Sequence, residues 1–248
     1  MGRARAGRLI AAVGVICGFA AIWTDVVSAE GSSTSYGDDG TVFAFLLVTL
    51  IPTAFLIVAG VDGPAAVLGS AACGFYLFIP AGYGFNHFDF LAAGGWLGVC
   101  TVLIPAGMWV AMAERAARVS SPLPARLVVW SWIGRGLCLA AIWTTAIYGQ
   151  SYWNLGDMGR ALPGLMLVLV LGGAALVTAT HPGGRRATLD GALVLAAATF
   201  GLYGALAIGN AFDALGALDV GAWMGAAGGT IILVAVAGIW RRAVTLAA

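Results

Sequence analysis

Ala20-Ala21-Ile22-Trp23-Thr24 returns letter for letter as Ala140-Ala141-Ile142-Trp143-Thr144, 120 positions further along a chain of 248 residues. Two looser echoes keep the same order. Gly37-Asp38-Asp39-Gly40 matches Gly156-Asp157-Met158-Gly159 as G-D-x-G, and Asn86-His87-Phe88-Asp89 matches Asn210-Ala211-Phe212-Asp213 as N-x-F-D. Three matches in one order at a nearly constant offset are what a duplicated unit with small insertions gives. The expected halves are residues 1–120 and 121–248.

Each copy of the pentapeptide closes a long apolar run, and composition says what surrounds such runs. The chain is 61% hydrophobic and 9% charged, with a mean hydropathy of +0.96, far from the ~25% charged residues of soluble domains. A helix needs about 20 apolar residues to cross the hydrocarbon of a bilayer. Eight runs meet that length: Leu9 to Val27, Val42 to Val61, Ala65 to Phe85, Phe90 to Met112, Leu127 to Tyr148, Leu162 to Thr180, Leu189 to Gly209 and Val220 to Trp240. The expected class is therefore an all-α integral membrane protein of eight transmembrane helices, four in each half. Asp62-Gly63-Pro64 and His181-Pro182-Gly183-Gly184 read as tight turns, and Ser28 to Gly40 and Gly149 to Ala161 as small polar loops.

Arginine placement predicts orientation. Arg3, Arg5, Arg8, Arg115, Arg118, Arg126, Arg135, Arg185, Arg186, Arg241 and Arg242 fall on one side of an eight-span path, and Arg160 alone on the other. The basic side faces the cytoplasm, so both termini are expected there. Four spans return the chain to its starting side, which makes the halves parallel repeats about an axis along the membrane normal. Arg3, Arg5 and Arg8, the apolar run and Val27-Ser28-Ala29 also resemble a secretory signal; the matching internal run at Ala140 favours retention of the segment. All twelve basic residues are Arg and Ala and Gly abound, a composition that suggests the plasma membrane of a prokaryote. Lipid is the expected partner, with a membrane complex or a homo-oligomer as further candidates; a net charge of +1 gives no reason to expect nucleic acid.

Chemistry-bearing residues are sparse. Cys17, Cys73, Cys100 and Cys138 fall within apolar spans without C-x-x-C spacing, and His87 and His181 fall on opposite sides, so neither a metal centre nor a haem is expected. No nucleotide-binding or nucleophile-elbow motif is present, and no catalytic residue is assigned. The candidate solute or cation contacts are the acids and amides of the non-cytoplasmic side: Asp25, Asp38, Asn86, Asp89, Asp157, Asn210 and Asp213. Gathered near the axis, such oxygens would suit a cationic solute. The competing reading makes them turn formers and caps, with Asp89 capping the fourth span.

Gly14 and Gly18, Gly94 and Gly98, and Gly221, Gly225 and Gly229 lie at four-residue spacing, which fits close internal packing or an oligomer face. Arg135 is expected to snorkel to the cytoplasmic headgroups or to pair with Asp190. Pro52, Pro105 and Pro80 predict kinks in the first half and an off-centre pocket near Pro80 to Phe85, while a cavity shared by the halves is expected on the axis. These features make a small-solute permease without its own ATPase the leading expectation, a non-transporting subunit of a membrane complex the second, and a membrane enzyme the third.

Overall fold

In a computed structural model of the chain, residues 2–29, 32–84, 91–113, 118–119, 122–154, 161–209 and 215–245 are described. Helices α1 (Arg3–Ile22), α2 (Gly40–Ala59), α3 (Asp62–Ile79), α4 (Ala93–Cys100) and α5 (Leu103–Ala113) precede residue 120; α6 (Ala125–Trp143), α7 (Ala161–Thr178), α8 (Ala187–Gly209) and α9 (Val220–Thr245) follow it. With α4 and α5 forming one span, Ala93–Ala113, eight helical segments are long and apolar enough to cross a membrane. The eight sequence-derived runs correspond to these segments.

The ends of the runs differ from expectation. The first helix stops at Ile22 and α6 at Trp143, because the apolar residues beyond them form strands. Strands β1 (Asp25–Ala29) and β2 (Ser32–Ser35) pair as one antiparallel hairpin, and β3 (Thr145–Ile147) and β4 (Gln150–Ser151) as another. Tyr148 (φ 49°) and Gly149 (φ 73°) make the second turn, the two left-handed residues that a tight hairpin requires. Val26 and Ala146 are buried, so hydropathy alone could not separate strand from span. We call this end of the bundle the hairpin face and the opposite end the terminal face.

Helices α3 and α8 form the centre; their spans are 72% and 78% buried, against 33–44% for the other six. They cross with almost no side chain between them. A β-carbon added to Gly74 would strike the carbonyl of Ala198, and one added to Gly201 the carbonyl of Ala71. Small residues permit that approach, which is how helices associate where lipid is as apolar as the side chains. Backbone therefore meets backbone where α3 and α8 cross.

Around the central pair, α1 packs on α4 and α5, α6 on α9, α2 on α3 and α7 on α8. Matching contacts recur. Tyr76 donates to the Gly18 carbonyl at 2.7 Å and Tyr203 to the Cys138 carbonyl at 3.0 Å. The amides of Gly37 and Trp153 donate to Ile22 and Ile142, each at 3.0 Å; those of Ala92 and Asp219 donate to Val26 and Ala146 at 3.0 and 2.9 Å. The spaced glycines serve these internal contacts: Gly14 faces Ile104, Gly94 Thr24, Gly221 Thr144 and Thr145, and Gly225 Tyr203.

Proline acts unevenly. Pro105 has no amide to offer Thr101, and the fourth span breaks at Thr101 and Val102, where Ile104 bonds to the Thr101 carbonyl instead at 2.8 Å. Pro80 opens a π-helical turn, Pro80–Gly84, that ends α3. Pro52 interrupts nothing: α2 runs unbroken from Gly40 to Ala59.

At the terminal face each central helix begins with a buried carboxylate, favourable near a helix N-terminus. Arg8 holds Asp62 with two bonds, 2.8 and 3.1 Å, and reaches the Gly60 carbonyl at 3.2 Å. Asp190 accepts from the Trp240 indole at 2.7 Å, and Arg186 approaches at 3.6 Å while lying 5.2 Å from the Trp240 ring. Asp190 is thus held by its own neighbours rather than by Arg135.

Candidate functional site at the hairpin face

The first hairpin folds back over the bundle because Tyr36 is an anchor. It is 2% exposed, its hydroxyl donates to the Tyr76 carbonyl at 2.8 Å, and its ring meets that of Tyr76 edge-on at 4.7 Å. Burial holds the Tyr36 phenol well above its ordinary pKa, with Tyr76 adding to the effect, so it stays a neutral donor. Tyr152 takes the corresponding place against Tyr203, ring centroids 5.8 Å apart, and burial likewise raises its pKa. Its buried hydroxyl has no hydrogen-bond partner among the described residues. The two hairpin anchors are therefore alike in position and unlike in bonding.

Beside the Tyr36 anchor lies a cavity of about 260 Å³ between α2, α3, α8 and the hairpin. Val42, Phe75, Phe78, Ile79, Ala205 and Leu206 supply apolar wall, and Thr34, Ser35, Tyr36 and Asp39 supply polar groups. Asp39 stands there because it caps α2: its Oδ1 accepts from the amides of Thr41 and Val42 at 2.8 and 3.1 Å. An N-cap carboxylate at the edge of an apolar cavity can receive a cationic or donor head while the wall takes an apolar body. Its wall draws on both central helices, with Ile79, next to the Pro80 turn, from α3 and Ala205, Leu206 and Gly209 from α8.

Of the residues singled out in the sequence, Asp25 belongs to β1 rather than to the first helix, opposite Ser35, and is exposed. Asp38 closes the hairpin-to-helix turn, its Oδ2 accepting from the Ser35 amide at 2.6 Å. Neither lines the cavity. Asn86, Asp89, Asp157, Asn210 and Asp213 lie outside the described residues. The fourth span does not begin at Asp89: α4 starts at Ala93, with Ala92 in the cap position. Tyr36 and Asp39 were missed. The legible signal for Asp39 was a carboxylate three residues ahead of an apolar run; matching G-D-x-G to its partner drew attention to Asp38 instead.

Arg135 answers to neither expectation. It is 2% exposed within α6, with its guanidinium turned to Ser131, and it does not meet Asp190. Trp240 is likewise engaged with Asp190 and Arg186, whereas Trp23 and Trp143 are exposed near the hairpin face, as an interfacial belt requires.

The chain matches no known protein family, no curated protein and no solved structure.

Proposed function

We propose that the protein is a small-solute permease, or a transport-associated membrane protein, whose hairpin-face cavity receives the solute. The cavity between α2, α3 and α8 carries this reading, because it joins an apolar wall to one carboxylate, Asp39, at the junction of the halves. The preferred solute has a small apolar body and a cationic or hydrogen-bond-donating head. Asp89, Asp157 and Asp213 would add to the same preference, and asparagine at both Asp89 and Asp213 would then reduce flux.

The fold is read here as two parallel four-helix repeats, residues 1–120 and 121–248, about a pseudo-twofold axis between α3 and α8. The paired tyrosine, glycine and hairpin contacts support that reading. Arg3, Arg5, Arg8, Arg118, Arg126, Arg185, Arg186, Arg241 and Arg242 belong to the terminal face, which supports cytoplasmic termini in a prokaryotic plasma membrane even with Arg135 removed from the loop tally. A second reading, a non-transporting subunit of a membrane complex, draws on the closed α3–α8 seam.

Stopped-flow light scattering of proteoliposomes tests the proposal, with ethylammonium and tetramethylammonium chloride against neutral glycerol and urea. At least one cation is expected to equilibrate tenfold faster than in protein-free vesicles. Asp39→Asn keeps a good N-cap while removing the charge, so it should slow that cation several-fold without lowering the melting temperature. Permeation equal to protein-free vesicles for all four solutes would exclude them as substrates and favour the subunit reading.

A further inference from the structure

Arg135 is the eleventh of the nineteen residues of α6, near the middle of a membrane-length helix, and it is buried among protein side chains. A charged side chain at the middle of a membrane-spanning helix is costly and faces the bundle interior or a partner. Its guanidinium is only half satisfied. Nη1 donates to the Ser131 carbonyl at 3.0 Å and to the Ser131 hydroxyl at 2.6 Å, and the Trp132 ring lies 5.7 Å away. Nε and Nη2 are buried without a hydrogen-bond partner, and no carboxylate pairs with Arg135 among the described residues.

The unused pair is informative because Nε and Nη2 form one edge of the guanidinium, the edge that grips a two-oxygen acceptor side-on. Arg135 borders a closed slot, too narrow to admit a water molecule, lined by Leu169, Val170, Gly173, Ala196, Thr199 and Ile232 from α7, α8 and α9. Gly173 faces the guanidinium across it: an added β-carbon there would sit 3.6 Å from Nη2, in van der Waals contact with the unused edge. The Thr199 hydroxyl already donates to the Leu195 carbonyl at 2.7 Å, so the guanidinium edge is the slot's free donor. Ser131 fixes one arm of the fork and leaves the other presented to the slot.

We propose that this slot binds a small monovalent oxyanion, held side-on by Arg135 Nε and Nη2. One positive charge and no second cation in the lining set the valence. Two adjacent donors select two acceptor oxygens, as in a short carboxylate or nitrate. The slot is narrower than a free water, so it must widen for the anion to enter. Ligand binding by purified protein is independent of the cation flux proposed above, and either can fail without the other.

The test uses the full chain in mild detergent in a buffer free of carboxylates and nitrate, titrated with sodium formate, acetate or nitrate by calorimetry and by tryptophan-monitored melting. The wild type is expected to bind at least one of the three saturably and to melt higher with it. Arg135→Lys, which loses the side-on fork, should bind at least tenfold more weakly; Arg135→Met should not bind and should melt no lower than the ligand-free wild type, since it removes an unpaired buried charge. Gly173→Val, which fills the slot and leaves Arg135 in place, should also lose the response and decides the matter if Arg135→Met does not fold. No saturable response in the wild type, or a full response in Arg135→Met or Gly173→Val, would overturn the proposal.

Discussion

Purified in mild detergent, a Gly201→Val chain is expected to lose the monodisperse peak of the wild type or to melt far below it. The added β-carbon falls on the backbone carbonyl of Ala71, and a carbonyl within a helix cannot swing aside as a side chain can. The only relief is to part α3 from α8, which opens the two most buried spans together. Overpacking a well-packed core by a few methylenes costs about 1–3 kcal/mol. A collision with backbone belongs at the upper end or beyond it. Gly74→Val meets the Ala198 carbonyl in the same way and should behave alike. The control is Gly136→Val in α6, where an added β-carbon meets nothing within 4 Å and the expected change is within about 0.5 kcal/mol. Wild-type melting of Gly201→Val would show that the seam is looser than described.

The second large effect is expected at the terminal face. Arg8→Ala leaves Asp62, whose side chain is 1% exposed, without the guanidinium that makes two bonds to it. Stripping one partner from a buried pair costs about 3–5 kcal/mol. Because the Arg8 side chain is 32% exposed, water softens the loss toward about 2–3 kcal/mol. Most of that cost is the stranded carboxylate and not the bond itself, so Arg8→Ala combined with Asp62→Leu should recover much of the stability. Thermal unfolding of the single and double variants measures this directly. A double variant no more stable than Arg8→Ala would mean that Asp62 stabilises α3 by other means.

The eight spans were legible because length and hydropathy act on every residue of a run. Their ends were not, since Val26 and Val27, or Ala146 and Ile147, are as apolar in a hairpin strand as in a helix. The glycine spacings pointed to close packing, yet only coordinates reveal that Gly74 and Gly201 bring backbone against backbone and close the centre. Asp39 escaped notice because the repeat drew attention to positions that match, whereas its counterpart is Met158. Arg135 was visible as an oddity, set against Val15 in the first half. That two of its donors are unused depends on Ser131 one turn earlier and on Gly173 across the bundle, relations no linear pattern carries.

The cavity beneath the first hairpin is the centre of the functional account, and a plug is its most direct test. Ala205 is buried in the cavity wall on α8, so Ala205→Trp places a large side chain where the solute would sit. In proteoliposomes exchanging the best-permeating organic cation, the expected result is a loss of at least tenfold in rate with helicity and monodispersity unchanged. A correctly folded Ala205→Trp protein that conducts at the wild-type rate would contradict the account.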